Sequence, residues 1–347
     1  ENSTASREYH LVDKGIKTCM YAGYPDLYMQ FSKANEFVFT PDWYRGIEYS
    51  KEQESGYEYS EDLYVPGYFE MNIKKGESIV FAASTSEIKT SSLKHLFEKE
   101  VEDRSPRDNF FHCLVNAAHQ FHNRTSKDER YILAGYPWFK CRARDTFISL
   151  PGLTLSIGEV DQFEKYMATA ELAIRQYIRK EPIDVQIYEM EQPDTFLWAV
   201  WCLQQYAKDT SKQQCYEHYG TLIHDIIDFI RKGQHVNLTV HENHLLYSNG
   251  RNTPITWMNS TANGHPIIPR SGYIVEFNAL WYNALCFYAL LLTETGVEEN
   301  IRKAKEYENE AELVKASFKQ VFLNEYGYLL DYVDGQMMDW SVSPNQL

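Results

Sequence analysis

The chain has 347 residues, 44 % hydrophobic and 24 % charged, with 34 Lys and Arg against 49 Asp and Glu for a net charge of −15. A chain of this length and composition folds and buries roughly three quarters of its unfolded surface, which excludes disorder as its main state. An acidic sequence with pI near 5.2 and no Lys/Arg-rich block lacks the basic footprint that nucleic acid or an anionic membrane requires, so neither is an expected partner.

Residues 1–88 read as strands and turns, part of a β-rich N-terminal domain. Phe37-Val38-Phe39 is extended ahead of a Thr40-Pro41-Asp42 turn. Tyr68–Ile73 alternates apolar and polar residues, Lys74-Lys75-Gly76-Glu77 turns the chain, and Ser78–Ala83 resumes it. That pattern predicts a hairpin in a half-buried antiparallel sheet of roughly four to six strands. Residues 89–104 form a polar linker helix. From 105 to 347 the chain is mainly helical: Phe110, Phe111, Leu114, Val115, Ala118 and Phe121 fall on one helical face. Further helical segments are expected near 146–156, 159–180, 194–208, 211–233, 272–295 and 298–322.

Between the helices lie irregular stretches rich in Tyr, Trp, Pro and Gly, where sites concentrate on a rigid scaffold. Ala134–Thr146 gathers Tyr136, Trp138 and Phe139 with Lys140, Arg142, Arg144 and Asp145. Pro254–Ser260 carries Trp257 and Asn259; Ile268–Gly272 carries Arg270; Val275–Asn283 carries Glu276 and Trp281. Aromatic faces beside carboxylates, amides and guanidinium groups suit a neutral sugar, whose ring stacks while its hydroxyls take charge-assisted hydrogen bonds. Taken singly, each residue also has an ordinary reading: Arg144–Asp145 as an ion pair at a helix start, Trp257 as core, and Glu276 as a first-turn complement to the helix dipole.

Other chemistries fit poorly. His241-Glu242-Asn243-His244 lacks the HExxH spacing, and neither GxGxxG, GxxxxGK[ST] nor GxSxG occurs, so no metal, nucleotide cofactor or hydrolase elbow is expected. No run of about 18 uninterrupted apolar residues predicts a membrane-spanning helix, and Glu1–Thr4 has no signal-peptide character. Six scattered cysteines without a CxxC predict free thiols and a cytoplasmic location, which makes the sequons at Asn2, Asn123, Asn237 and Asn259 chance matches.

As a set the motifs are recognisable. Ala134-Gly135-Tyr136-Pro137-Trp138-Phe139, Arg144-Asp145-Thr146, Asp194-Thr195-Phe196-Leu197-Trp198, Thr256-Trp257-Met258, Pro269-Arg270 and Val275-Glu276-Phe277-Asn278-Ala279-Leu280-Trp281 resemble the amylo-α-1,6-glucosidase family, the glucosidase part of glycogen debranching enzymes. Upstream, Glu61–Phe69 looks like the end of the β-rich domain that precedes it. The resemblance implies an (α/α)6 toroid of six-hairpin glycosidase type with its site in the loops at one end. It also implies inverting hydrolysis of α-1,6-linked glucose without a cofactor, on an α-glucan or oligosaccharide. By the same resemblance Asn259, Asp145 and Glu276 stand at catalytic positions, while Tyr136, Trp138, Arg144, Asp194, Trp257, Arg270 and Trp281 line a glucose-sized pocket.

Three departures stand out. The family's T-W-M-D acid is Asn259 here, and an amide cannot donate the proton a glycosidic leaving group needs. The approach to Arg144 is the more basic Lys140-Cys141-Arg142-Ala143. The toroid requires more than the about seven helices expected, and the resemblance puts the general base beyond Leu347, after Ser343-Pro344-Asn345-Gln346. Two alternatives to a debranching hydrolase stay open: an inactive α-glucan-binding pseudoenzyme, and a glycosidase whose acid is Glu189, Glu191 or Glu276.

Overall fold

A computed structural model describes residues 4–54, 56–125, 128–135 and 139–346. The chain divides into two units, Glu1–Arg107 and Asp108–Leu347.

The first unit runs β1 (Tyr9–Val12), β2 (Gly15–Thr18), β3 (Leu27–Phe31), β4 (Glu36–Glu48), α1 (Ser50–Glu54), β5 (Ser60–Glu70), β6 (Phe81–Ser84) and α2 (Leu93–Asp103). Its four-stranded antiparallel sheet has the order β1-β2-β3-β6, and β4 pairs with β5 as a separate ladder. Two local expectations are corrected. Thr40-Pro41-Asp42 does not turn the chain but forms a bulge inside β4, where the register shifts between Phe39 and Asp42. A bulge in a two-stranded ladder tolerates a proline that has no N–H to give. The expected 68–83 hairpin is also absent, because β5 pairs with β4 and β6 with β3, Phe31 opposite Phe81. Non-local aromatic packing accompanies this pairing: Phe31 meets Phe69 and Phe81 at 4.8 and 4.9 Å, and Phe37 meets Tyr9 and Phe69 at 4.9 and 5.0 Å.

The second unit runs α3 (Phe110–His119), β7 (His122–Arg124), β8 (Arg130–Ile132), α4 (Ala143–Leu153), α5 (Val160–Ile178), α6 (Thr195–Asp209), α7 (Lys212–Arg231), β9 (Thr239–Val240) and β10 (Leu246–Ser248). It continues as β11 (Thr261–Ala262), β12 (His265–Pro266), β13 (Gly272–Ile274), α8 (Val275–Glu294), α9 (Glu298–Phe322), β14 (Tyr332–Asp334) and β15 (Met337–Met338). Helices α4, α6 and α8 pack side by side, α5 packs on α7, and each of the first three also pairs with the helix that follows it. The result is three consecutive α/α hairpins in two layers, the repeat from which a six-hairpin toroid is built. The described residues do not close a ring of six.

Sequence decides which helix goes where. In α9 the buried residues Ala304, Tyr307, Ala311 and Val314 recur at three- and four-residue spacing, one stripe on an otherwise charged helix. Helix α8 is apolar nearly all round, and its buried residues lie on several faces. Gln204 of α6 and Asn283 of α8 exchange both amide hydrogen bonds at 3.0 and 3.1 Å, which fixes the register of the two buried helices. Ser211 caps the start of α7, its hydroxyl accepting from the Gln214 N–H at 3.0 Å.

A five-stranded antiparallel sheet, order β15-β14-β13-β10-β9, lies beside α8. The wholly buried Asn278 joins them: its amide accepts from Leu246 N–H at 2.7 Å and donates to Leu246 and Ile274 carbonyls at 3.1 and 3.0 Å. Gly272 has φ +93°, and a Cβ there would lie 2.2 Å from the Val333 carbonyl, so only glycine lets β13 and β14 approach.

Candidate active site

Helix α4 begins at Ala143, three residues earlier than expected, which places Arg144 and Asp145 inside its first turn. Arg144 does not pair with Asp145. Its guanidinium, 7 % exposed, reaches across to the residue before α6: Nε and Nη2 donate to the Asp194 carboxylate at 2.8–2.9 Å. Asp194 also accepts from Trp198 Nε1 at 3.1 Å. Arg144 Nη2 completes its set with Gln192 Oε1 and the Ile255 carbonyl, both at 3.3 Å. With its neighbour so engaged, the half-buried Asp145 carboxylate has no hydrogen-bond or ion-pair partner among the described residues, and it sits where the helix dipole favours negative charge.

A second guanidinium supports the other side of the same loop. Arg270, 2 % exposed, grips the Glu276 carboxylate with both Nη atoms, Nη2 at 2.6 Å, while its Nε lies 2.7 Å from Asp331 Oδ2. One guanidinium thus faces two carboxylates in a buried cluster. Burial pushes the Glu276 carboxyl above its ordinary value, and the Arg270 guanidinium offsets this only in part. Asp331 Oδ1 accepts further bonds from the Ser343 hydroxyl and from Asn345 Nδ2, the latter at 2.9 Å. The Asn345 amide oxygen in turn accepts from Trp257 Nε1 at 2.7 Å.

The Pro254–Asn259 loop is therefore held at Ile255 by Arg144 and at Trp257 by Asn345. Trp257 stays 52 % exposed and is not core. Asn259 is exposed, with no side-chain bond among the described residues. Trp281 corrects its expectation: it is fully buried in α8, where helix packing claims both faces of the indole, so no face is left for a ligand. Tyr136 and Trp138 lie outside the described residues. Of the other carboxylates weighed as acids, Glu189 lies 3.2 Å from Arg142 and Glu191 is exposed.

Asp331, Ser343 and Asn345 were not among the candidates. Asn345 stood in the noted Ser343-Pro344-Asn345-Gln346 stretch, while Asp331 has no sequence signal, since a buried polar cluster follows no period. Among the described residues no three His, Cys, Asp or Glu side chains converge as a metal site. The arrangement offers an aromatic face and an unpaired carboxylate on two segments tied by the Arg144–Ile255 hydrogen bond, groups suited to a neutral polyhydroxylated ring.

The chain is similar, at 12 % identity and TM-score 0.42, to a metal-independent alpha-mannosidase of Streptococcus pneumoniae in complex with alpha-1,6-mannobiose, over 72 % of this chain and 68 % of that one. It is similar also to a bacterial glucoamylase complexed with acarbose, at 12 % identity and TM-score 0.44, over 92 % of this chain and 49 % of that one, about half the glucoamylase's length. No curated protein matches the sequence. Residues 1–80 match the N-terminal domain of glycogen debranching enzyme, and residues 115–347 match amylo-alpha-1,6-glucosidase. That second match spans well over half of the sequence, and the chain belongs to the amylo-alpha-1,6-glucosidase family of glycoside hydrolases.

Proposed function

We propose that this chain acts on branched α-glucan, with the α-1,6-linked glucose of a branch stub as its substrate and inverting hydrolysis as its reaction. What supports the reading is one observation in a chain of this family: a single hydrogen bond, Arg144 to Ile255, ties the segment of Asp145, which has no partner among the described residues, to the segment of the half-exposed Trp257. Trp257 stacks on the apolar face of the terminal glucose, and Asp145 accepts from its hydroxyls. Arg144, Asp194, Arg270 and Glu276 hold the walls. The six unpaired cysteines support a reducing, cytoplasmic setting.

A second reading rests on Asn259. Inverting hydrolysis needs an acid and a base roughly 6.5–9.5 Å apart, and an amide in the acid position leaves glucan binding without turnover. Glu276 is a poor replacement acid, because both of its carboxylate oxygens are taken by Arg270. The two readings separate in an assay of glucose release from phosphorylase limit dextrin by the parent chain and by Asn259→Asp. Release by the parent, raised about 10²–10⁴-fold in the variant, supports the hydrolase. Release by the variant alone supports the binding protein. If neither binds a branched oligosaccharide, both readings fall.

A further inference from the structure

We propose that Asn345, oriented by Asp331, is a positioning residue that clamps the indole of Trp257 and presents its face to the sugar; the inference rests on the glucan reading above. Trp257 combines two properties that oppose each other: it is 52 % exposed, and its Nε1 is held at 2.7 Å by a residue 88 positions away. An exposed tryptophan at a loop tip has rotamers to choose from, and a ligand that needs one of them must fix it on binding. The clamp removes that choice beforehand.

The chemistry of the relay explains why an asparagine stands at 345. An indole N–H can only donate and an ionised carboxylate can only accept, so a group between them must accept on one side and donate on the other. The Asn345 amide does this, with Oδ1 toward Trp257 and Nδ2 toward Asp331 Oδ1 at 2.9 Å. Its orientation is imposed by these two partners, and Nδ2 also lies 3.7 Å from Met258 Sδ. Asp331 is fixed in turn by Arg270 at 2.7 Å on Oδ2 and by the Ser343 hydroxyl on Oδ1. The exposed ring is thereby tied to a buried ion cluster, through bonds that a leucine at 345 could not make.

The test is a double-mutant cycle read by calorimetric titration with panose, a trisaccharide ending in α-1,6-linked glucose. Asn345→Leu in the parent weakens panose binding about tenfold, a loss of one clamping hydrogen bond. Trp257→Phe keeps an aromatic face and lacks the N–H, so it breaks the same bond from the exposed end without touching a buried residue. In the Trp257→Phe background Asn345→Leu causes no further loss of affinity, although it still lowers the thermal midpoint there, because Asp331 loses its Asn345 donor in either background. Equal weakening by Asn345→Leu in both backgrounds, or none in either while Trp257→Ala abolishes binding, overturns the clamp and leaves the glucan site standing. Binding of panose by Trp257→Ala as tight as by the parent overturns the site itself.

Discussion

Two buried arginines flank the same loop with different chemistry. Arg144 meets one carboxylate, Asp194, and its Nη2 also reaches a neutral amide and a carbonyl, so the pair is balanced in charge. Arg270 meets two carboxylates, Glu276 and Asp331, and the surplus acceptor capacity of Asp331 passes outward through Asn345 to Trp257. The difference teaches where rigidity ends and recognition begins. The balanced pair reaches the loop only through its backbone, at the Ile255 carbonyl, whereas the cluster with an acceptor left over orients a side chain at the surface.

The largest effect expected from breaking this contrast is at Arg270. Arg270→Met leaves two buried carboxylates without their counter-charge, and chemical denaturation should find about 5 kcal/mol lost. Asp194→Asn strands a single guanidinium on the balanced side, and the same measurement should find about 3 kcal/mol. If the two losses come out equal, the second carboxylate at Arg270 has no energetic consequence and the contrast fails.

His235 sharpens the comparison as a buried polar group with no charged partner among the described residues. It is 4 % exposed among Tyr177, Phe196 and Phe229, its Nδ1 accepts from the Asn237 N–H at 3.1 Å, and burial lowers its pKa from 6.5 to about 4. A group whose folded pKa lies below its unfolded one supports the fold fully above the unfolded value and ceases to as pH falls through the folded value. Stability should therefore drop by about 3 kcal/mol between pH 6.5 and 4. His235→Asn should flatten the curve in that window; a parent curve already flat there contradicts the assignment. The smallest effect belongs to the clamp: Asn345→Leu should cost about 1 kcal/mol of stability, because one end of its relay is at the surface.

Helices were readable from the sequence because their periodicity is local: α5, α6, α7 and α9 fall within a few residues of the expected spans. Arg144 and Asp194 both stand in motifs that the sequence singles out, yet their pairing was not readable, since it joins positions 50 residues apart and the adjacent Asp145 offered a nearer partner. Asp331 was invisible for a similar reason. Trp281 shows the reverse failure: it shares a motif with Glu276, but only the packing of α8 reveals that the indole is enclosed. In the first unit, Phe31, Phe37, Phe69 and Phe81 meet across strands that no local pattern pairs, and the expected hairpin gave way to that contact.

The central claim is that Trp257 and Asp145 grip the terminal glucose, and panose affinity measured by calorimetry on the parent, Trp257→Ala and Asp145→Asn tests it most directly. The account predicts about tenfold or greater weakening in each variant, from loss of ring stacking and of a charge-assisted hydrogen bond respectively. Parent-like affinity in either variant would contradict it.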